Sequence, residues 1–338
     1  MLKRARTHLA GPVLAIAAGL ITFASAAPNA GAAPTPAATS LVYSRVVVFG
    51  DSLSDPGNAF ALLGTAATPP DWTLNPFLIP NAPYARGGLN FTNGATWIER
   101  LARDLRVPAT AGPAFRNDSP VASNYATGAA RAREVGFGLN LQAQVGTFLQ
   151  DAGGAAPSDA LYVIAIGGDD VRDAVQAYQA GGQPAAETVI GEAIAIIRQQ
   201  VTTLYAAGAR QFLIWNSPDV SLTPAAHILD GLFPGTGLLG SALTAEFNNG
   251  LAQTLALLSG TLPAVNIVPL DVYELLYTIV LSPAAVGLTN VTDACLTPNV
   301  PPFTCGHPDK FLFWDGIHPT TAAHALIAQA ALDALLAP

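Results

Sequence analysis

Charged residues are scarce in this sequence, and basic residues are scarcer than acidic ones. Lysine and arginine number 15, aspartate and glutamate number 23, and all four together make up 11% of the 338 positions. The acidic excess argues against nucleic acid as a partner, because phosphate backbones attract basic surfaces. With 51% hydrophobic residues, a chain of this length can still bury a large core.

Long hydrophobic runs are absent after the first 30 residues. Three basic residues (Lys3, Arg4 and Arg6) precede an apolar stretch over 9–23, and Ala24-Ser25-Ala26 follows. This order is typical of a cleaved secretory signal peptide, and the stretch is short for a retained membrane anchor. We therefore predict a signal peptide over 1–26, no integral membrane segment after its removal, and secretion or export to the periplasm of a bacterium. Removal takes three of the 15 basic residues, which leaves 12 against 23 acidic residues and a net charge of −11.

Only two cysteines are present, Cys295 and Cys305. In an exported protein an even number of cysteines favours a disulfide bond. The alternative is a metal site that combines them with His307 and His318, but this spacing fits no usual zinc pattern. We expect the disulfide, no metal and no cofactor.

Internal repeats and internal linkers are also absent. Residues 27–44 are rich in alanine and proline and form a predicted lead-in. We expect 45–338 to form a single domain that acts as a monomer.

Short apolar runs alternate with longer helical patterns along that domain. Strands are predicted over 45–50, 161–166, 211–215 and 264–270, with a further short strand over 133–137. The predicted helices cover 93–104, 139–151, 185–207, 243–258, 272–281 and 320–336. This alternation indicates an α/β fold with a parallel sheet and helices on both faces. Functional residues are then expected at the carboxyl ends of the strands, where Ser52, 167–170 and 216–219 fall.

Two segments contain residues suited to nucleophilic catalysis. The first strand ends in Gly50-Asp51-Ser52, which would expose a serine hydroxyl. Near the other end of the chain, Asp315-Gly316-Ile317-His318 puts a carboxylate three residues before an imidazole. Together they supply the nucleophile, base and orienting acid that acyl transfer requires. Each segment alone is equally compatible with an ordinary turn.

The combined pattern resembles the GDSL lipolytic enzymes, also called SGNH hydrolases. The resemblance spans about 45–336 and keeps the order of that family's blocks. The residues that carry it are Phe49-Gly50-Asp51-Ser52-Leu53-Ser54-Asp55, Asn90-Phe91-Thr92-Asn93-Gly94, Ile166-Gly167-Gly168-Asp169-Asp170 and Asp315-Gly316-Ile317-His318-Pro319.

The resemblance implies a flavodoxin-like fold with a five-stranded parallel sheet, and ester hydrolysis without a metal. It assigns Ser52, His318 and Asp315 to a catalytic triad. It also assigns the backbone N–H groups of Ser52 and Gly94 to the oxyanion hole, which binds the negative oxygen that develops during acyl transfer.

Residue 169 departs from the family pattern. The third oxyanion donor is usually an asparagine, and here it is Asp169, whose ionised side chain can only accept hydrogen bonds. Three interpretations remain open: a protonated Asp169 that donates, a slower enzyme with two backbone donors, or a protein that binds without catalysis.

The sequence predicts a serine hydrolase that cleaves carboxylic esters with lipid-like acyl groups. Phospholipase or acyltransferase activity could use the same triad. A lipid- or glycan-binding protein that retains the hydrolase fold is the alternative from another class. Apolar segments over 72–83 and 228–239 could line an acyl pocket.

Overall fold

Four short strands lie side by side in the computed structural model, which describes residues 42–67, 74–116, 119–135 and 139–337. All four strands are parallel, and they pair in the order β1 (Val46–Gly50), β2 (Leu161–Ala165), β3 (Gln211–Trp215) and β4 (Asn266–Leu270). These are the four longer strands that the sequence predicts. The predicted signal peptide and most of the lead-in lie outside the described residues.

Helices cover both faces of this sheet. Along β1, Val47 and Phe49 face one hydrophobic core, whereas Val46 and Val48 face another, because successive side chains of a strand point to opposite faces. The helices are α1 (Asn58–Leu63), α2 (Trp97–Asp104), α3 (Leu141–Asp151), α4 (Gly168–Gly181), α5 (Gln183–Ala207), α6 (Pro224–Leu232), α7 (Thr236–Thr261), α8 (Val272–Leu281) and α9 (Thr321–Leu336). The first core is completed by α3, α4, α5 and α7, and the second by α2, α8 and α9.

Three helices, α2, α3 and α9, begin later than the apolar pattern predicts, because capping residues fix where they begin. The backbone N–H of Thr96 donates to Glu99 Oε2 at 2.7 Å, so α2 begins at Trp97 rather than at residue 93. Asn140 and Thr320 cap α3 and α9 through their side-chain oxygens. Helices α1, α4 and α6 were not predicted, and α7 is longer than predicted at both ends.

The expected fifth strand is replaced by an irregular segment. Among the described residues the main sheet has four regular strands, and the segment 123–127 runs beside the free edge of β1. There, Val48 donates to the carbonyl of Ser123 at 2.9 Å and accepts from the N–H of Tyr125 at 2.8 Å. The short strand predicted over 133–137 is wrong where the chain is described, because residues 133 and 134 lie in a bend and residue 135 is in no strand. Residues 136 and 137 lie outside the described ranges.

A second, smaller sheet was not predicted. Strands β5 (Asn290–Ala294) and β6 (Phe311–Phe313) are parallel and flank the disulfide loop. The N–H of Cys295 donates to the carbonyl of Phe313 at 3.0 Å, which fixes the loop beside β6. The turn that contains His318 follows directly, so this sheet supports it.

Candidate active site

Ser52 stands on the turn that follows β1. A Cβ at Gly50 would lie 2.5 Å from the carbonyl oxygen of Ala165, so only glycine lets β1 approach β2 this closely at its end. The next residue, Asp51, accepts the backbone N–H of Leu53 at 3.0 Å and thereby closes the turn. Burial, together with the negative charge of Asp169, raises the pKa of Asp51 well above its usual range.

His318 stands on a second tight turn, which follows β6. The Oδ1 atom of Asp315 accepts the backbone N–H groups of Ile317 at 2.9 Å and of His318 at 2.8 Å. Gly316 is required between them because a Cβ there would overlap the backbone of the loop at Phe77. This loop and the carboxylate hold the turn in one conformation.

The three side chains meet in hydrogen-bonding order. His318 Nε2 lies 2.8 Å from Ser52 Oγ, and His318 Nδ1 lies 2.7 Å from Asp315 Oδ2. Ser52 and His318 are 266 residues apart in the chain, and Asp315 is fully buried. A serine that can give its proton to an imidazole, itself oriented by a carboxylate, is an arrangement suited to nucleophilic catalysis.

Two aromatic residues that sequence reasoning did not assign hold this arrangement. The hydroxyl of Tyr84 donates to Asp315 Oδ2 at 2.7 Å, the same oxygen that faces His318. Burial, and then the charge of Asp315, raise the pKa of Tyr84, which keeps this hydroxyl protonated as a donor. Phe91 stacks on the imidazole of His318 with 5.2 Å between ring centroids. No local sequence signal identifies Tyr84, whereas Phe91 lies inside the second block of the family pattern.

Asp169 and Asp170 lie in the first turn of α4, just after β2, and their side chains have different partners. Asp170 is buried and accepts the N–H of Ala132 at 2.8 Å and Arg133 Nε at 2.9 Å. Burial raises the pKa of Asp170 to about 6, against the opposing effect of those donors. Asp169 Oδ1 instead accepts Arg172 Nη1 at 2.7 Å, and both of these residues line the same cavity as Ser52.

Gly94 lies beside the start of α9. A Cβ there would lie 2.9 Å from Thr321 Oγ1, and the carbonyl of Gly94 accepts Asn90 Nδ2 at 3.0 Å. The neighbouring Asn93 accepts the backbone N–H of Thr321 at 2.7 Å. Gly94 is not one of the residues that line the cavity with Ser52, so its place in the oxyanion hole stays a prediction.

The cavity at the carboxyl end of the sheet has a volume of about 320 Å³ and a largely apolar wall. Ser52 and His318 lie in this wall, as do Trp215 and Asp219 from the end of β3. Of the two apolar segments proposed for an acyl pocket, Phe77 and Ile79 from one and Leu229 from the other are present. Trp72 lies outside the described residues. The cavity can therefore surround an apolar group whose ester carbonyl is next to Ser52.

The disulfide is confirmed, and it removes the alternative metal site. Cys295 and Cys305 are bonded with an S–S distance of 2.07 Å, so neither sulfur is a thiolate that could bind a metal. Within the described ranges no cluster of three or more His, Cys, Asp or Glu side chains could hold a metal ion.

His324 is buried in α9, and its Nδ1 accepts the N–H of Trp97 at 3.2 Å. Burial lowers the pKa of His324 to about 3, so it is neutral at pH 7.

The fold and the site together are typical of one class of proteins, the serine hydrolases of α/β fold. Such proteins align a serine, a histidine and an aspartate at the carboxyl ends of the strands of a parallel sheet. Comparison with known families narrows this class, because the family model for GDSL-like lipase/acylhydrolase matches residues 46–331. The chain therefore belongs to the GDSL-like lipase/acylhydrolase family and is a carboxylic ester hydrolase.

Curated relatives carry names from the same family. A GDSL esterase/lipase of Arabidopsis thaliana is 26% identical, and the alignment covers 86% of this chain and 88% of the plant protein. Esterase EstA of Pseudomonas aeruginosa is 29% identical, and the alignment covers 96% of this chain but 50% of EstA.

Solved structures are less similar. A GDSL-like lipase of Parabacteroides merdae is 15% identical with a TM-score of 0.44, and the match covers 88% of this chain and 98% of that one. An extracellular lipase of Streptomyces rimosus is 17% identical with a TM-score of 0.37, over 86% of this chain and 98% of that one.

Proposed function

We propose that this protein hydrolyses esters with lipid-like acyl groups through a covalent intermediate on Ser52. The observation that carries the proposal is the unbroken order of hydrogen bonds from Ser52 through His318 to Asp315. His318 accepts the proton of Ser52 as the hydroxyl attacks the ester carbonyl, and it then protonates the departing alkoxide. Water attacks the acyl-enzyme in the second half of the reaction, with His318 again as base. Asp315 holds the imidazole in place and stabilises its charged form.

The substrate class follows from the cavity. Its wall contains more apolar than polar surface, and Ser52 lies in that wall. Burying each methylene of an acyl chain contributes about 0.8 kcal/mol. We therefore propose esters of lipid-like acids as substrates. Phospholipase or acyltransferase chemistry on the same serine would differ in the leaving group or in the acceptor of the acyl group.

For the oxyanion hole we propose the N–H groups of Ser52 and Gly94 as donors, with Asp169 at the third position. The contact with Arg172 bears on the three interpretations of Asp169. In this contact Asp169 accepts a hydrogen bond from the guanidinium, which is not the role of the donor that the first interpretation requires. A slower enzyme with two backbone donors is the interpretation that this contact favours.

We further propose that residues 1–26 are a signal peptide and that 45–338 act as a single exported domain and as a monomer. Among the described residues, no helix has the length and apolar composition to cross a membrane. The net charge of −11 that remains without the leader would favour a dissolved protein over one bound to acidic lipid.

The proposal is tested with a fluorophosphonate probe and p-nitrophenyl butyrate. We expect the probe to label the wild-type protein at Ser52, and we expect Ser52→Ala to lose both labelling and turnover by at least about 1,000-fold. Ser221→Ala is the matched control, because Ser221 lines the same cavity without a bond to His318. Labelling that persists in Ser52→Ala would contradict the assignment of the nucleophile. A folded wild-type protein that neither reacts nor hydrolyses would instead support the alternative, a binding protein for lipid or glycan.

A further inference from the structure

Six charged side chains gather around the start of α4. Three aspartates at positions 169, 170 and 173 face three arginines at positions 131, 133 and 172. Arg131 binds Asp173, and Arg133 binds both Asp170 and Asp173. The remaining pair, Arg172 with Asp169, is the one that lines the cavity beside Ser52.

The charge of Asp169 acts on the nucleophile turn. After burial, Asp169 is the largest cause of the raised pKa of Asp51, the residue directly before Ser52. The side chain of Asp169 is only 11% exposed, so solvent screens its charge weakly. In acyl transfer the carbonyl oxygen becomes negative next to Ser52, and an uncompensated carboxylate nearby would oppose that change.

Arg172 is placed to offset this charge. Within the part of the chain that the structure describes, it is the one arginine or lysine that lines the cavity. Its Nη1 binds Asp169 Oδ1, while its other guanidinium nitrogens have no hydrogen bond to a described residue. The side chain is 36% exposed, so these N–H groups are free to face the cavity.

We propose that Arg172 is a positioning residue of the acyl-transfer site. It holds the Asp169 carboxylate at Oδ1 and supplies the positive charge that offsets Asp169 when the oxyanion forms. The Asp169–Arg172 pair thus occupies the place of the single neutral donor that the family pattern puts at residue 169. This inference rests on the proposed function, because it concerns the reaction at Ser52.

A double-mutant cycle with Arg172→Gln and Asp169→Asn tests the inference. The substrate is p-nitrophenyl butyrate, whose lack of charge excludes an effect through binding of an anionic group. We expect Arg172→Gln to lower kcat at least 10-fold and to change KM less than threefold, because Asp169 is then unpaired. In the Asp169→Asn background the same substitution should change kcat less than threefold. Arg172→Lys keeps the charge and should restore kcat to within about fivefold of wild type.

Arg198→Gln is the control for the loss of a positive charge. Arg198 is an exposed arginine of α5 that belongs neither to the charged cluster nor to the cavity wall. We expect its kcat to stay within about twofold of wild type, and we expect thermal unfolding to show that all variants are folded.

Two results would overturn the inference. An unchanged kcat in Arg172→Gln would show that Asp169 needs no compensation. An equal loss in both backgrounds would show that Arg172 acts independently of Asp169. Both results are compatible with full labelling of Ser52, so they leave the proposed function intact. Absence of any turnover that depends on Ser52 in the wild type would refute the proposed function and this inference together.

Discussion

The bond between Tyr84 and Asp315 gives the most direct prediction about the candidate triad. Tyr84→Phe removes a hydroxyl that lies 2.7 Å from the Asp315 oxygen bound to His318, and it changes nothing else in covalent structure. Asp315 is fully buried, so water does not readily replace the lost donor. A hydrogen bond to a charged group contributes about 1.5–3 kcal/mol, and this is the expected loss in the free energy of unfolding.

The transition state of acyl transfer should also lose part of this stabilisation. Asp315 must keep His318 in position while the imidazole takes up a proton. The hydrogen bond from Tyr84 helps to fix the Asp315 carboxylate in the orientation that this requires. If about 1.4 kcal/mol is lost there, kcat falls about 10-fold. We expect KM to change little, because Tyr84 is not among the residues that line the cavity. The measurements are steady-state kinetics on p-nitrophenyl butyrate and unfolding in urea.

A matched control exists within the chain. The hydroxyl of Tyr125 donates to Asp151 Oδ2 at 2.9 Å at the end of α3, but Asp151 is exposed, whereas Asp315 is buried. Tyr125 is as buried as Tyr84, at 3% exposure each. Because water can replace the hydroxyl at Asp151, Tyr125→Phe should lower stability by less than Tyr84→Phe does, while kcat stays within about twofold of wild type. Wild-type kcat in Tyr84→Phe, or an equal loss of kcat in Tyr125→Phe, would refute the reasoning.

Two further predictions concern stability. The pKa of about 3 for buried His324 lies below its usual 6.5, so the unfolded chain binds the proton more strongly and His324 destabilises the fold as the pH falls from 6.5 towards 3. His324→Asn keeps an acceptor for the N–H of Trp97. The free energy of unfolding of this variant, relative to wild type, should rise by about 1.4 kcal/mol for each unit by which the pH falls from 6 to 4, as measured by urea titration. A difference that does not change with pH would contradict the lowered pKa of His324. Replacing both Cys295 and Cys305 by alanine opens a ten-residue loop and should lower the free energy of unfolding by about 2.7 kcal/mol. Unchanged thermal unfolding would show that β5 and β6 hold the loop without the disulfide.

Much of the architecture could be read from local patterns. The four strands were found because buried parallel strands are short apolar runs that end in glycine or polar residues. Their alternation with helical patterns then indicated which segments meet at one edge of the sheet. Errors fell where local signals conflict. Gly167 and Gly168 indicated only the end of a strand, although α4 begins at Gly168, and the edge segment over 123–127 lacks the pattern of a regular strand.

The sequence by itself determined the chemical groups of the site and the order in which the chain presents them. Ser52, Asp315 and His318 lie on tight turns whose local bonds are set by nearby residues, such as the Asp315 carboxylate and the backbone of 317 and 318. The tertiary structure alone decided what surrounds these groups. Tyr84 reaches Asp315 across 231 residues, and Arg172 enters the cavity only because α4 begins at the end of β2. Contacts of this kind depend on how distant segments pack, and a periodic pattern within one segment carries no information about them.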